Sequence, residues 1–404
     1  MVATEYALAT MALLLTTGVY YAYQDRYLYY KGTLKEFEEK EKEKKSEVQP
    51  ALKRVCYYTI RHGYDDTPLK PNLLDPSVCT HLIVGFASVA YDYLIPKHPK
   101  DLYVYGNVTS LKINNPDLKV LLSVGAGSGG KFSAMVNSPP GRKKFVTSAI
   151  ALLEKFNFDG IDFDWEFPAW KGAPPLDRVS FIYLLRDFRN FFKAEEKEFL
   201  LTAAVAAPRS IVITAYDIPA LAYFLDFVNL MCYDFHYWRP STPYTSHHSP
   251  LYQRPNSQDV MDNVAWTSHY WIGSGMPKEK IMIGIPTYAR TYILADPHTH
   301  DLDSFAKGPG RGQGKINYGE VCSFLKGGAQ TVFDEFSFVP YAFKGYEWIA
   351  YESEKSVTLK AKWARKQGFG GVMTYNLNRD DWNATCDGQT RFPLHNAIND
   401  ALSD

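Results

Sequence analysis

The chain has no excess of charge of either sign, since 44 Lys and Arg residues balance 44 Asp and Glu residues among its 404 residues. Nucleic-acid-binding proteins usually carry a strongly basic surface, so we expect no nucleic-acid partner. The composition, 46% hydrophobic and 15% aromatic, is sufficient for a large core in one or two domains. Its 29 Tyr and 24 Phe residues also offer flat apolar faces for a ring-shaped ligand.

Charged residues are absent from residues 6–23, "YALATMALLLTTGVYYAY". This length is at the short end for a membrane span, and a buried core helix is a further alternative. A basic N-terminal region and a clear small-residue cleavage site are also missing. We interpret residues 1–25 as either a signal peptide or a membrane anchor, and an anchor would make the membrane a partner. Arg26 and Lys31 follow this segment, which by the positive-inside rule would hold the rest of the chain in the cytoplasm.

Apolar residues are scarce in residues 31–47, which hold six Lys and six Glu residues. Such a segment cannot bury itself, so we interpret residues 26–53 as a solvated stalk or linker. A partner-binding segment is the alternative. The folded domain is expected over residues 54–404.

Short apolar runs alternate with amphipathic stretches through this domain. In "SFIYLLRDFRNFF", for example, the large apolar residues fall on one helical face. The predicted strands are residues 55–60, 81–87, 119–125, 160–165, 200–206, 227–233, 281–286 and 370–376. Eight strands alternating with helices indicate an α/β fold, a (β/α)8 TIM barrel. The connection between the seventh and eighth strands is too long for one helix, so residues 290–352 are predicted to form a small α+β insertion.

The glycine-rich run "VLLSVGAGSGGKF" lacks one residue of a nucleotide-binding loop. Gly125, Gly130 and Lys131 fit the pattern G-x-x-x-x-G-K, but Phe132 stands where a Ser or Thr should hold magnesium. The run follows the third predicted strand, at the face where barrel active sites lie. We therefore interpret it as a loop of the substrate cleft.

The strongest catalytic pattern is "FDGIDFDWEF", residues 158–167. Asp162, Asp164 and Glu166 are spaced by two, which on a strand places their carboxyl groups on one face. The flanking residues are apolar, which disfavours a solvated edge strand. No His is close by and the row is too linear to surround an ion, so we expect no metal and no cofactor. Crowding and burial raise carboxyl pKa values, so Glu166 is predicted to stay protonated and act as a general acid.

"DGIDFDWE" resembles the D-G-x-D-x-D-x-E signature of family 18 glycoside hydrolases, the chitinases and chitinase-like proteins. The resemblance extends over nearly the whole chain from Arg54 and includes an insertion domain at the same place. Further stretches that resemble the family are "VCYYT" (55–59), "CTHLIVGFA" (79–87), "MCYDF" (231–235), "SPLY" (249–252) and "GIPTYAR" (284–290).

The resemblance implies a chitinase of the endo-β-N-acetylglucosaminidase type. Its substrate would be chitin or chito-oligosaccharide, cleaved with retention while the sugar's own acetamido group attacks C1 to give an oxazolinium ion. Glu166 would protonate the leaving oxygen, and Asp164 would orient the acetamido N–H. Asp162 would share a proton with Asp164, and Tyr233 would hydrogen-bond the acetamido oxygen.

The resemblance also implies a set of substrate-binding residues. They are Tyr57, Phe86, Trp165, Met231, Asp234, Tyr288, Arg290 and Tyr375. Phe86 and Met231 are alternatively packing residues, and Arg290 is alternatively part of a salt bridge between the stalk and the insertion.

Two departures from the family pattern concern sugar stacking. Family members usually carry a Trp in the loop after the third strand, which is absent here, and a Trp where Tyr375 stands. Weaker stacking leaves open a lectin that binds chito-oligosaccharides with weak or no turnover. The presence of Glu166 favours a hydrolase, because lectin-like relatives tend to lose this residue.

The five cysteines are at positions 56, 79, 232, 322 and 386. The resemblance suggests the pairs Cys56–Cys79 and Cys322–Cys386, with Cys232 left as a buried thiol. Asn107 and Asn383 begin N-x-T sequons and are candidate glycosylation sites. Disulfides and sequons together favour the secretory pathway, with an extracellular or lumenal catalytic domain. This prediction conflicts with the charge rule applied to residues 26 and 31, and we give the cysteines more weight.

Overall fold

Eight parallel strands close into a barrel in the computed structural model, which describes residues 51–60, 69–125, 129–254 and 260–403. The fold is that of the compact unit Leu52–Asp404. The barrel strands are β1 (Lys53–Thr59), β2 (His81–Ala90), β4 (Lys119–Gly125), β5 (Gly160–Asp164), β6 (Leu200–Ala206), β7 (Phe227–Met231), β8 (Ile281–Pro286) and β15 (Gly371–Tyr375). Their order around the barrel is β1-β2-β4-β5-β6-β7-β8-β15, and β15 pairs with β1. The predicted (β/α)8 barrel is therefore confirmed.

The barrel strands are buried on both faces because helices cover the outside, which explains their near-continuous apolar sequences. Inside the barrel, a core cluster contains Tyr57, Phe227, Met282 and Met373. The helices are α1 (Asp101–Thr109), α2 (Gly129–Val136), α3 (Pro139–Lys155), α4 (Asp177–Ala194), α5 (Arg209–Ala215), α6 (Ile218–Phe224), α7 (Val264–Gly273), α8 (Tyr318–Lys326), α9 (Glu354–Gln367) and α10 (Pro393–Ser403). Short 3-10 turns are at Pro71–Leu73, Ser110–Ile113, Lys278–Lys280 and Leu377–Arg379.

Local sequence signals fix several helix ends. α9 begins after a capping box, in which the side chains of Ser353 and Ser356 each accept a hydrogen bond from the other's backbone N–H. It ends at Gly368, whose φ of 78° is left-handed and suits glycine. α8 begins with a second capping box, formed by Asn317 and Glu320.

An antiparallel sheet with one long helix, α8, and a single helical turn, Arg311–Gly314, is inserted between β8 and β15. Its strands are β9 (Tyr288–Leu294), β10 (Ala306–Pro309), β11 (Lys315–Asn317), β12 (Gln330–Asp334), β13 (Val339–Lys344) and β14 (Glu347–Ala350). The order is β10-β9-β14-β13-β12, and β11 pairs with β9. Its core is aromatic and includes Tyr292, Tyr341 and Trp348. Trp238, from the loop after β7, packs against this core, so the sheet is joined to one side of the barrel mouth.

The glycine-rich run has a packing role at the two positions where the structure describes it in detail. A Cβ on Gly125, at the end of β4, would lie 1.9 Å from the backbone oxygen of Asp164, so only glycine allows β4 to approach β5 this closely. Phe132, in the place of the magnesium-binding hydroxyl, is fully buried and stacks on Trp165 with ring centres 5.3 Å apart. Residues 126–128 lie outside the described ranges.

A small hairpin is added beside the barrel, where β3 (Tyr93–Ile95) pairs with the end of β2. None of the described helices is both long and apolar enough to cross a membrane. The apolar segment 6–23 and most of the predicted stalk 26–53 lie outside the described ranges, so both remain predictions.

Candidate active site

The three acidic side chains of the signature form a row that runs from the barrel interior to its mouth. Asp162 and Asp164 lie on β5, and Glu166 follows two residues after Asp164. Asp162 is fully buried, Asp164 is 4% exposed and Glu166 is exposed. Asp164 and Glu166 line a cavity of about 440 Å³ at the C-terminal ends of the barrel strands. The arrangement follows from the alternation of side chains along a strand.

Asp162 is held by donors from four other barrel strands. Its Oδ2 accepts hydrogen bonds from the hydroxyls of Tyr57 (2.7 Å) and Ser123 (2.8 Å). Its Oδ1 accepts from the hydroxyl of Thr202 (2.6 Å) and from Nδ2 of Asn229 (3.3 Å). Burial raises the pKa of Asp162, and these hydrogen bonds oppose the rise. The predicted sharing of a proton between Asp162 and Asp164 remains a prediction.

Asp164 receives fewer hydrogen bonds than Asp162. Its Oδ1 is buried without a hydrogen-bond partner among the described residues. Burial, followed by the charges of Glu166 and Asp162, raises the pKa of Asp164 well above its usual range. An oxygen without a partner that lines the cavity is suited to accept a hydrogen bond from a ligand N–H.

Glu166 is the carboxyl group that the cavity makes available to a ligand. Its pKa is raised, first by desolvation within the cleft and then by the charge of Asp234, while the charge of Lys315 opposes the rise. A carboxyl group with a raised pKa, open to the cleft, is suited to donate a proton near neutral pH.

Aromatic rings form much of the cavity wall. The ring centre of Tyr375 lies 5.7 Å from that of Tyr57 and 6.1 Å from that of Tyr233, and Tyr233 is 6.1 Å from Tyr288. Burial raises the pKa values of Tyr233 and Tyr288 well above the usual range, so both phenols are neutral donors. The hydroxyl of Tyr288 is buried without a hydrogen-bond partner among the described residues.

Asp234 and Arg290 form a bidentate ion pair between the loop after β7 and β9. Arg290 Nε and Nη2 donate to the two carboxylate oxygens of Asp234 at 2.7 and 2.6 Å. His248 Nδ1 lies 3.6 Å from the same carboxylate. Burial would raise the pKa of Asp234, but the contacts with His248 and Arg290, with the charge of Lys315, hold it well below its usual range. Arg290 thus lines the cleft and also forms a salt bridge, whose partner is on the barrel.

Lys315 is a cleft residue that the sequence did not reveal. Its ammonium group lies 3.6 Å from the ring centre of Tyr288 and 5.7 Å from that of Tyr375. It reaches the cavity because β11 pairs with β9, opposite Arg290. No local pattern in the sequence predicts this long-range pairing.

Ser123, Thr202 and Asn229 were also missed, although each carries a usable signal. Each is a buried polar residue flanked by apolar residues in its barrel strand, and a buried polar group requires a partner. Cleft residues from the loops after β5 and β7 were missed as well: Trp170, Lys171, Tyr237 and Arg239.

The assignment of Trp165 to substrate binding needs correction. Its side chain is buried outside the barrel, stacked on Phe132 and edge-on to Phe181 at 5.7 Å. The alternation that directs Asp164 and Glu166 inward directs Trp165 into the helix layer. Phe86 packs on Tyr57 at 6.4 Å and is not part of the cavity lining, whereas Met231 is part of it.

Both disulfide pairs are present, Cys56–Cys79 and Cys322–Cys386. The second bond ties α8 of the insertion to the segment after β15. Cys232 is free and buried, and burial raises the pKa of its thiol to about 11. No group of three or more His, Cys, Asp and Glu side chains suited to a metal ion is found within the described ranges.

The chain is similar in sequence and structure to several known proteins. The family model described as glycosyl hydrolases family 18 matches residues 53–380. Oviduct-specific glycoprotein of Mus musculus is 36% identical over 369 residues, covering 87% of this chain and 50% of that protein, so the chain spans about half the length of this relative. Chitotriosidase-1 of Mus musculus is 35% identical over 370 residues, covering 87% of this chain and 78% of that protein.

A solved structure with the same fold is that of human YKL-39, described as a pseudo-chitinase with retained chitooligosaccharide binding properties. It has a TM-score of 0.81 and 33% identity, covering 88% of this chain and 100% of that one.

Proposed function

The chain belongs to glycosyl hydrolase family 18, and from this premise we propose that it hydrolyses β-1,4-linked N-acetylglucosamine oligomers or polymers. The reaction retains the configuration at C1 and uses the acetamido group of the substrate as nucleophile. The observation that carries this proposal is the graded row of acids, from Asp162 with four donors to the open, raised-pKa carboxyl of Glu166.

Glu166 is the proton donor in this mechanism. Its proton passes to the glycosidic oxygen as the bond to C1 breaks, and the acetamido oxygen forms the new bond to C1. Water then opens the oxazolinium ion, and Glu166 takes back a proton from that water. A positioned acid of this kind contributes about 10²–10⁴-fold to the rate.

Asp164 and Tyr233 hold the acetamido group. The Oδ1 atom of Asp164 has no partner among the described residues and accepts the acetamido N–H, which gains positive charge as the ring forms. The Tyr233 phenol is neutral and donates to the acetamido oxygen. Asp162 keeps its position through its four hydrogen bonds and sets the field at Asp164.

The proposal is tested by hydrolysis of a fluorogenic chitotrioside by the full chain and by its Glu166→Gln variant. We expect kcat to fall about 10²–10⁴-fold in the variant while chito-oligosaccharide binding remains. Glu198→Gln is the matched control, because Glu198 is exposed before β6, at the opposite end of the barrel, and should keep full activity. Full activity of Glu166→Gln would contradict the mechanism.

A chito-oligosaccharide-binding lectin is the second candidate. It is favoured by the likeness to YKL-39 and by Tyr375, whose ring face is smaller than that of the usual Trp. The same experiment separates the candidates. Binding measured by calorimetry without hydrolysis by the unaltered chain would identify a lectin.

For the compartment, we propose an extracellular or lumenal catalytic domain, because two disulfides persist best in oxidising surroundings. Asn383 is exposed and accessible to a glycan, whereas Asn107 is half-buried on α1, and the Thr109 hydroxyl of its sequon donates to Tyr105 O at 3.0 Å. A glycosidase-sensitive mass shift that is lost in Asn383→Gln is expected. Reduced cysteines on the cytosolic side would contradict the assignment.

A further inference from the structure

The cavity has two walls that differ in origin and in charge. Tyr57 on β1 and Tyr375 on β15 belong to neighbouring strands, and β5, β6 and β7 lie across the barrel mouth from them. Glu166 stands on the β5 side. The loops that follow β5 and β7 complete the wall on this side. Four residues of these loops are here called the outer subsite: Trp170, Lys171, Tyr237 and Arg239.

Cations of the outer subsite are not neutralised by neighbouring acids. Within the described residues, no carboxylate forms an ion pair with Lys171 or Arg239, and both side chains are exposed. The contrast is Arg290, whose guanidinium is committed to both oxygens of Asp234. The outer subsite therefore carries two positive charges that face an open cleft.

Arg239 is also held in a defined orientation. Its guanidinium lies 4.0 Å from the ring centre of Tyr237, which orders the planar group. A guanidinium that lies over a ring still presents N–H groups, which match carboxylate and sulfate oxygens in a bidentate manner. Trp170 adds an apolar surface to the same wall, suited to the face of a sugar ring.

The acids nearest to this wall do not cancel its charge. Burial raises the pKa of Asp164 well above its usual range, and the pKa of Glu166 is raised as well. Asp234, after β7 on the same side, is ionised, but both of its oxygens accept hydrogen bonds from Arg290. Lys171 and Arg239 therefore remain as cations of this wall without an acidic partner among the described residues.

We propose that the outer subsite takes a sugar bearing an acidic group, a carboxylate or a sulfate ester, bound by Lys171 and Arg239. The inference rests on the proposed function, because this sugar would be the leaving group of the bond that Glu166 protonates. The substrate class is then a β-linked N-acetylhexosamine chain with acidic substituents on alternate or modified sugars. The N-acetyl group required for catalysis remains on the other side of the bond.

The test is calorimetric binding to the full chain carrying Glu166→Gln, which prevents turnover during the titration. The neutral probe is chitotetraose. The acidic probes are a hyaluronan tetrasaccharide, which carries carboxylates, and a 6-O-sulfated chitotetraose. At low ionic strength we expect at least one acidic probe to bind about five times more tightly than chitotetraose or better. In 0.5 M NaCl this preference should shrink, since exposed charges are screened beyond a few ångströms.

Variants test whether Lys171 and Arg239 cause the preference for an acidic probe. Replacing both cations, Lys171→Gln with Arg239→Gln, should bring the ratio of acidic to neutral affinity close to one. Lys307→Gln is the matched control, since Lys307 is an exposed lysine on an aromatic ring of the inserted sheet, 4.6 Å from the Tyr346 ring centre, and should leave the ratio unchanged.

The outcomes separate the two proposals. Chitotetraose binding without any preference for an acidic probe would overturn this inference and leave the proposed function in place. A preference that survives the double variant would also overturn it, because the charge would then lie elsewhere. Failure of all three probes to bind would contradict the proposed function. Preference for only one acidic probe would support the inference and identify the acidic group.

Discussion

The hydroxyl of Tyr57 donates a 2.7 Å hydrogen bond to Asp162 Oδ2 across the interior of the barrel. Tyr57 thus links β1 to the innermost acid of the row on β5. This hydrogen bond favours the ionised form of Asp162 against the effect of burial. The charge on Asp162 in turn raises the pKa of Asp164. A phenol on the far side of the barrel therefore influences the acid that holds the substrate's acetamido group.

Tyr57→Phe should lower kcat by about tenfold, because one hydrogen bond to a buried charged group is lost. The pKa of Asp162 should rise, and the pKa of Asp164 should fall as its neighbour loses charge. The measurement is kcat and KM for the fluorogenic chitotrioside across pH. A positioning role predicts an altered pH profile in addition to the loss of rate.

Tyr58→Phe provides the matched control on the same strand. The Tyr58 hydroxyl donates to the backbone oxygen of Leu69 at 2.9 Å, on the outer face of β1. Its removal should cost about 1 kcal/mol of stability and leave the pH profile unchanged. An unaltered profile in Tyr57→Phe as well would contradict the proposed role of Tyr57.

Lys315→Met should move the alkaline limb of the kcat profile to higher pH. The positive charge of Lys315 lowers the pKa of Glu166, so its removal raises that pKa. Glu166 acts in its protonated form, and activity is lost as the pH rises through its pKa. A higher pKa therefore extends activity upward. Methionine keeps most of the apolar length of the lysine side chain.

The control for this experiment is Lys307→Met, on β10 and outside the cleft lining. It should leave the alkaline limb in place. A downward movement of the limb in Lys315→Met would show that Lys315 acts on Glu166 by something other than its charge.

The acid row shows how far strand periodicity alone can predict a site. Spacing by two placed Asp162, Asp164 and Glu166 on one face, and the structure has them in a single row. Applied consistently, the same periodicity would have directed Trp165 outward, where it stacks on Phe132. Trp165 was assigned to the cleft together with the acids of its motif, although alternate side chains of a strand point to opposite faces.

Other residues of the site required knowledge of distant pairings. Ser123, Thr202 and Asn229 were recognisable as polar residues between apolar neighbours, but their common partner depends on the barrel's strand order. Lys315 reaches the cleft only through the pairing of β11 with β9, within an inserted sheet whose order does not follow the chain. Local patterns therefore predicted the barrel and its acidic residues better than they predicted the part of the cleft that the inserted sheet supplies.

Asp164→Asn should abolish hydrolysis and yet stabilise the fold at neutral pH. A raised folded-state pKa means that Asp164's contribution to stability is full below its unfolded pKa, about 4, and is lost as the pH rises toward the folded-state value. The amide of the Asn variant does not ionise, so it does not lose this stability as the pH rises. We expect a melting temperature about 2–4 °C higher at pH 7 and no gain at pH 4.

Asp234→Asn provides a control of opposite sign. The pKa of Asp234 is held below its usual range, so its contribution to stability is present above the unfolded pKa and is lost as the pH falls through the folded-state value. Its amide variant should therefore melt at a lower temperature at pH 7. An Asp164→Asn variant that is equally destabilised at pH 4 and pH 7 would contradict the electrostatic argument.

Tyr375→Trp should strengthen oligosaccharide binding without a comparable change in kcat. Tyr375 ends β15 in the cavity wall, with Tyr57 and Tyr233 as ring neighbours at 5.7 and 6.1 Å. An indole presents a larger face to a sugar ring, and an aromatic contact contributes about 0.5–1.5 kcal/mol beyond its buried area. That range corresponds to a fall in KM of roughly 2- to 13-fold.

Tyr375→Phe separates the ring from the hydroxyl, since it keeps the ring face and loses only the oxygen. If ring area determines affinity, KM should follow the order Trp below Tyr and Tyr close to Phe. A normally melting Tyr375→Trp variant with an unchanged or higher KM would show that this position sets the shape of the cavity and does not serve as a stacking platform.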